Sequence, residues 1–419
     1  MNNWTLRSLR EISDSCLGKM LDQEKNKGEF YPYLGNINVR WGGFSLDNLE
    51  KMRFEEDEQD RYGLVYGDLV ICEGGEPGRC SIWRDQMANM KIQKALHRLR
   101  VKSGYSADFL YYHMLLAGKT KQIDRHFIGS TIKHLTGIAL KNVEFKFPEY
   151  DVQVKIAVAL RSLDSKIELN NRINAELEAM AKTIYEYWFV QFDFPDAQGR
   201  PYKSSGGKMV YNAPLKRKIP ESWQDGSLGD LGQIVGGSTP TTTEEDNFDP
   251  NGIPWISPVD LSRNAAKFIS RGAMGVTEKG FKAASLKKYP KGTVLLSSRA
   301  PIGYMAIARN ALTTNQGFKS FIPSKGFSTA FIYYTVDANL KSIHQSASGS
   351  TFKEVSGGVL KTIKTPLPPK DLVAKFTEKI QGIFDRQDLL EQENQQLAEL
   401  RDWLLPMLMN GQVKAGEKI

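Results

Sequence analysis

Gly129-Ser130-Thr131-Ile132-Lys133 returns as Gly349-Ser350-Thr351-Phe352-Lys353, 220 residues further on. Each copy is followed by a short β-type run ending at a proline, Pro148 and Pro368, again 220 apart. A long gap-free helical pattern follows each proline. An internal repeat of this size decides architecture before any local motif does. Working outward, Trp4-Thr5-Leu6-Arg7-Ser8-Leu9 matches Trp223-Gln224-Asp225-Gly226-Ser227-Leu228 at a shift of 219. Gly67-Asp68-Leu69-Val70-Ile71 matches Gly292-Thr293-Val294-Leu295-Leu296 at 225, and Gly78 matches Gly303 at the same shift. Shifts that drift and return describe loop insertions on one shared fold.

Within each copy, Leu69-Val70-Ile71-Cys72 and Thr293-Val294-Leu295-Leu296 read as strands. Asp108–His113 and Ala330–Tyr334 read as short helices, with Gly-rich loops between. The expected fold class is α+β: two similar mixed α/β lobes separated by two long antiparallel coiled-coil helices, related by a pseudo-twofold repeat. The expected boundaries are 1–148 for the first lobe, 149–192 for a central spacer helix and 193–219 for a basic connector loop. A second lobe follows over 220–368, then a C-terminal spacer helix over 369–411 and a tail over 412–419.

The helices show the four-three rhythm of a coiled-coil seam. The first carries Ile156, Leu160, Leu163, Ile167, Leu177, Ala181, Ile184 and Trp188, with Asn170 and Asn174 in the remaining seam places. The second carries Phe376, Ile380, Ile383, Leu390, Leu397, Leu404 and Leu408, with Asn394 in a seam place. Asn174 and Asn394 lie 220 apart, and a buried seam asparagine lowers stability while fixing register. Pro368-Pro369 and Asp371 open the second helix, Gly411 closes it, and Pro406 is expected to end or kink it earlier. About 40 residues at 1.5 Å each make a helix of roughly 60 Å, longer than the 34–36 Å of one DNA turn. An ordinary helical bundle or dimer interface is the plainer reading of the same pattern.

At 419 residues, 41% hydrophobic and 25% charged, the chain can build two or three packed domains. No apolar run is long enough to span a membrane, and Met1–Arg7 lacks a signal-peptide apolar region. Three cysteines, Cys16, Cys72 and Cys80, all fall in the first lobe without a CxxC, which reads as reduced thiols in a cytoplasmic protein. The formal charge of +8 is unevenly placed. The lobes and the connector, with Lys203, Lys208, Lys216, Arg217 and Lys218, are net positive; both helical stretches are net acidic. That distribution suits lobes facing a polyanion and helices facing protein. The connector's Gly, Ser and Pro density reads as an irregular loop, either a solvated linker or a segment running near phosphates.

Motifs for covalent chemistry are missing. There is no GxxxxGK[ST], no Asn/Asp-Pro-Pro-Tyr/Phe tetrapeptide, no GxSxG and no Gly-rich cofactor fingerprint after a strand. The five histidines, His97, His113, His126, His134 and His344, lack metal-ligand spacing. Glu144-Phe145-Lys146 has the E-x-K form of some nucleases but sits in a strand-like run before Pro148.

Two lobes alternating with two spacer helices resemble the specificity subunits of type I restriction-modification systems. Phe192-Asp193-Phe194-Pro195 and Gly199-Arg200-Pro201-Tyr202-Lys203-Ser204-Ser205-Gly206-Gly207 look like that family's segment after its central helix. Ile219-Pro220-Glu221-Ser222-Trp223 resembles the I-P-x-G-W opening of its second recognition domain, with Ser222 in the glycine place. Thr314-Asn315-Gln316-Gly317-Phe318, Gly349-Ser350-Thr351 and Thr365-Pro366-Leu367-Pro368-Pro369 look like its domain core and exit. The first lobe offers Gln93-Lys94 where the second has Asn315-Gln316.

The resemblance implies a non-catalytic subunit that reads a bipartite, asymmetric site in double-stranded DNA, one half per lobe. It implies docking of two modification subunits, which methylate adenine from S-adenosylmethionine, and two restriction subunits, which use ATP and Mg. No cofactor or metal is then expected on this chain, and no membrane partner. A two-lobed coiled-coil DNA-binding protein acting without a methyltransferase is the competing expectation.

Base reading needs hydrogen-bonding side chains on loops, with Lys and Arg on phosphates. The candidates in the second lobe are Ser238, Thr239, Ser298, Arg299, Asn315, Gln316, Ser350, Thr351 and Lys353. In the first lobe they are Arg79, Gln93, Lys94, Ser130, Thr131, Lys133 and His134. Gly-Ser-Thr before a helical run is equally a helix N-cap, and Asn315-Gln316 equally buried scaffold.

Overall fold

The computed structural model describes residues 4–22, 24, 26–263, 266–349 and 353–413. Ser350 and Thr351 lie outside the described residues. The chain divides into two compact units, residues 1–168 with 395–419 and residues 169–394.

The first unit is built on a four-stranded antiparallel sheet. Its order is Ser13–Leu17, Leu96–Val101, Leu69–Cys72, Cys80–Ile82. Leu69–Cys72 is buried at every position, as a near-continuous apolar run covered on both faces must be. Ala107–Lys119 covers one face, placing Phe109, Tyr112 and Met114 against Leu69, Ile71 and Cys80. Its N-cap is Ser106, whose hydroxyl accepts from the Phe109 amide. A small second sheet holds Glu29–Leu34 between antiparallel Lys51–Phe54 and parallel Lys91–Ile92. Thr5–Ser8 pairs with Glu144–Phe147, which puts Glu144-Phe145-Lys146 in an ordinary antiparallel strand.

The second unit repeats this plan. Its main sheet runs Gly232–Gly236, Lys319–Pro323, Val294–Ser298, Ile302–Ala308, with Phe268–Ile269 added in parallel at the edge. Thr329–Ala338, capped by Ser328, packs on it through Phe331, Ile332 and Tyr334. Phe248–Ile256 lies between antiparallel Gly275–Val276 and parallel Thr313–Thr314, matching the small sheet of the first unit. Gln224–Ser227 pairs with Lys364–Leu367 as Thr5–Ser8 does with Glu144–Phe147. The expected α+β class with duplicated lobes holds, including the strands and helices named from sequence.

The two long helices run Tyr150–Tyr185, followed by a π turn over Glu186–Val190, and Lys370–Met409. Pro406 does not end the second helix, which continues through it to Met409. A proline three residues from a helix end forfeits one bond, and the Asn410 amide still reaches the Pro406 carbonyl at 3.0 Å. Gly411 closes the helix at φ +67°, a conformation that costs glycine little.

Lobe and spacer do not separate as expected, because each helix is shared between the units. Ile156, Ala157 and Leu160 join Leu405, Leu408 and Met409 in the core of the first unit. Ala181, Tyr185 and Trp188 join Phe376, Ile380 and Phe384 in the core of the second. Within the second unit the pairing is antiparallel. Asn170 donates to Asn394 Oδ1 at 2.9 Å, and Gln387 to the Asn174 carbonyl at 3.3 Å. In the first unit Arg401 donates to Asp164 at 2.7 Å.

Of the expected seam, Ile156, Leu160, Phe376, Ile380 and Leu390 are buried. Leu163, Ile167, Asn174, Leu177, Ile184, Ile383, Asn394, Leu397 and Leu404 are half-buried. Antiparallel pairing means that equivalent positions do not face one another. Asn394 meets Asn170, while its own counterpart Asn174 keeps a buried Oδ1 with no partner.

The connector also departs from an irregular loop. Met209–Asn212 and Arg217–Pro220 form a hairpin, Phe192 and Phe194 pack on Trp223, and Tyr202 stacks on Phe194. Several of its cations are spoken for: Arg200 by Asp196, Lys208 by Glu221, and Arg217 by the Phe192 ring at 4.7 Å.

Candidate nucleic-acid interface

In the first unit the Gly-Ser-Thr stretch forms the tip of a seven-residue loop. The loop is pinched shut by two bonds, the Ile128 amide to the His134 carbonyl at 2.8 Å and the His134 amide to the Ile128 carbonyl at 2.9 Å. Ser130, Thr131, Ile132, Lys133 and His134 are all exposed. The second unit shows the same pinch between Ser348 and Glu354, at 3.0 and 2.9 Å, with Lys353 exposed. The N-cap reading is therefore corrected. The residues that cap the following helices are Thr136, whose hydroxyl accepts from the Ala139 amide, and Ser356, which accepts from Val359. The pinch needs several extended residues between loop and helix, so the cap falls after it.

A second loop lies against the first in each unit. The Leu135 amide donates to the Glu73 carbonyl at 2.7 Å, and the Val355 amide to the Ser298 carbonyl at 3.0 Å. Glu73 and Ser298 in turn bond a tight turn: the Glu73 amide reaches the Ala95 carbonyl at 2.9 Å and the Ser298 amide the Gly317 carbonyl at 2.7 Å. That turn contains the candidates Gln93-Lys94 and Asn315-Gln316. Gln93 Oε1 accepts from the Ala95 amide at 3.1 Å, and Asn315 Oδ1 from the Gly317 amide at 2.9 Å. The two side chains do one job, bracing their own turn, and leave the next residue, Lys94 or Gln316, exposed.

Under each turn passes a glycine. The Lys19 amide donates to the Ile92 carbonyl at 3.0 Å, and the Ser238 amide to the Thr314 carbonyl at 3.1 Å. A Cβ on the preceding Gly18 or Gly237 would meet that turn's backbone at 2.3 or 2.1 Å, so only glycine allows the approach.

In the second unit the fold thus brings Ser238, Thr239, Ser298, Arg299, Asn315, Gln316 and Lys353 to one set of neighbouring loops. Thr239 donates to Gln316. Ser298 is fully buried with its hydroxyl on the Gly317 carbonyl, a framework position. Arg299 is half-buried, and its backbone pairs with that of Glu354 in an isolated antiparallel bridge. In the first unit Gln93, Lys94, Ser130, Thr131, Lys133 and His134 share the equivalent loops. Arg79 stands apart in chemistry: it is held by Glu76 at 2.9 Å and by the Asn36 carbonyl at 3.0 Å.

Position-by-position matching overlooked Lys19, the counterpart of Ser238, although the shift of 219 seen at the lobe starts would have paired them. Lys19 is buried and tied to Glu58 and the Arg53 carbonyl, so the two copies differ where they enter this face. His97, beneath the first loop, bonds the Leu135 carbonyl at 3.0 Å, and burial lowers its pKa below the usual imidazole value.

Among the described residues no group of three or more His, Cys, Asp or Glu is arranged to hold a metal ion. No helix among them is long and apolar enough to cross a membrane.

A duplicated lobe offering matched exposed loops of hydroxyl, amide and cationic side chains, borne on a shared pair of helices, defines a two-headed recognition protein. The chain belongs to the type I restriction modification DNA specificity domain family, whose model matches residues 1–179 and 220–400. The MjaIX type I restriction enzyme specificity subunit of Methanocaldococcus jannaschii is 41% identical over 198 residues, 46% of this chain and 44% of that protein. The HindI specificity subunit of Haemophilus influenzae is 25% identical over 99% of this chain and 100% of its own length. The crystal structure of the type I restriction-modification S subunit of M. genitalium shares the fold. Its TM-score is 0.58 at 18% identity, covering 97% of this chain and 96% of that one.

Proposed function

We propose that this chain is the DNA-reading subunit of a type I restriction-modification complex. Each lobe takes one half of a bipartite, asymmetric duplex site. The observation that carries this is the twice-built loop face: one backbone framework, presented twice, with unlike side chains on it. Equal faces would suit a palindrome, whereas these suit two different half-sites. Net positive lobes add sequence-independent attraction to phosphates.

The helices carry the protein partners. Large apolar side chains stand exposed along them, Val158, Leu169 and Met180 on the first and Leu389, Leu400 and Trp403 on the second. Singly they are unremarkable, but repeated along two helices they favour docking over solvation. Two modification subunits would bring S-adenosylmethionine, and two restriction subunits ATP and Mg, leaving this chain without chemistry of its own. Family membership supports a methyltransferase partner over a DNA-binding protein that acts alone.

Single-molecule sequencing of methylated adenines in the host, with and without the gene, tests the proposal. A two-part motif should vanish with the gene. A methylome unchanged by deletion overturns it.

A further inference from the structure

Three facing positions on the shared framework change together between the lobes. In the second, Arg299 and Glu354 face each other as an antiparallel backbone pair, and Lys319 Nζ lies 3.4 Å from Glu354 Oε1. In the first, the aligned places hold Gly74, His134 and His97. The backbone bonds fix this alignment. Leu135 to Glu73 mirrors Val355 to Ser298, and Gly74 and Arg299 come next in sequence. His97 and Lys319 occupy matching strand places, paired with Leu17 and Gly236. Gly137 and Gly357, the first residues of the matching helices, approach His97 and Lys319 respectively.

The substitutions are mutually consistent. A Cβ at position 74 would come within 3.1 Å of the His134 ring, so glycine there makes room for imidazole. The Lys319 ammonium beside the carboxylate makes the second set compatible with Glu354, whose side chain remains 41% exposed.

A carboxylate on a DNA-facing loop is repelled by phosphates unless a donor meets it. Ionised, it can only accept hydrogen bonds, and the base-edge donor it suits best is the cytosine N4 amino group in the major groove. Imidazole can donate, which suits the guanine N7 and O6 acceptors.

We infer that Glu354, oriented by Lys319, is a specificity-determining residue that accepts from a cytosine amino group in the half-site of the second lobe. His134 holds the corresponding place in the first lobe and faces an acceptor edge. This rests on the DNA-reading role proposed above.

The test uses the full chain with its modification subunits in a host free of other adenine methylation, with motifs read by single-molecule sequencing. Glu354→Gln should reduce discrimination at one base pair of one half-site about tenfold, leaving the remaining pairs and the other half-site intact. The triple change Arg299→Gly, Lys319→His, Glu354→His should move that base pair toward the preference of the first lobe. If Glu354→Gln keeps the motif unchanged, or lowers methylation evenly at all sites, Glu354 is only a structural ion-pair partner and the assignment falls. A wild-type complex that methylates no two-part motif removes the DNA-reading role itself, a different outcome from a motif that ignores position 354.

Discussion

The two lobes rest on the helix pair by different chemistry. In the first unit, Tyr112 donates to Asp164 at 2.6 Å, Asp164 accepts from Arg401, and Lys119 pairs with Asp402. In the second, the matching tyrosine, Tyr334, donates to Glu178 at 3.2 Å. There the cation comes from the lobe itself. Lys267 is buried between Glu178, Gln387 and the Tyr334 hydroxyl, with the Phe384 ring 4.3 Å from its ammonium. One tyrosine-to-carboxylate contact is retained and everything around it is exchanged. Duplication has preserved backbone geometry and the aromatic anchor, while each copy satisfies buried charge in its own way.

The largest effects are expected at the helix seam. Leu160 and Ile380 are both 0% exposed, each in the core of one unit. An unpaired carboxylate there costs on the order of 4 kcal/mol or more. Leu160→Asp should strip hydrogen-exchange protection from the first unit and Ile380→Asp from the second. Equal loss in both units from either change would show that they do not open separately.

Lys267→Met comes next. It leaves Gln387 and Tyr334 without a shared donor and Glu178 without its cation, at about 3 kcal/mol, moderated because Glu178 is partly hydrated. Thermal unfolding should show the loss, confined to the second unit; an unshifted midpoint would mean the ammonium contributes nothing there.

Acid should separate the units further. His113 in the first is fully enclosed, with its pKa pushed down to about 3 by burial. Above the free-histidine value of about 6.5 both folded and unfolded forms are neutral, and its contribution is complete. As pH falls from there toward 3 only the unfolded chain gains the proton, so stability is lost, by about 2 kcal/mol at pH 5. His97 acts in the same direction. In the second unit burial raises the Glu391 carboxyl, so the folded form takes up its proton first and falling pH favours that unit. Denaturant unfolding monitored unit by unit at pH 7.5 and pH 5 should show the first unit weakening relative to the second.

The smallest effect belongs to Asn174, whose buried Oδ1 lacks a partner. Asn174→Leu should stabilise by about 1 kcal/mol, whereas Asn170→Leu removes the bond to Asn394 and should not. Chemical denaturation midpoints of the two variants distinguish them.

Much of this was legible in the chain itself. Period and punctuation placed the long helices, since Pro368-Pro369 and Gly411 bound a seam of regular rhythm. Gly67 and Gly292, at φ +90° and +84°, marked the turns into the central strands. Other features depend on chain direction and distant contacts, which a one-dimensional pattern does not carry. Asn174 and Asn394 match in number, but antiparallel helices set Asn394 against Asn170. Ser130 looks like a cap because Ser and Thr cap helices generally, yet a pinched loop moved that role to Thr136. The bracing task shared by Gln93 and Asn315 shows in neither residue's identity, because it arises from a turn three residues long.

The division of each helix between two compact bodies has a consequence for synthesis. Leu405, Leu408 and Met409 are core residues of the unit that also contains the N-terminal lobe. Residues 169–394 can close upon themselves as soon as they leave the ribosome. The core of the lobe made first is complete only once Leu405, Leu408 and Met409 have been translated. Order of manufacture and order of completion are therefore reversed in this chain, against the usual N-terminal-first sequence of folding.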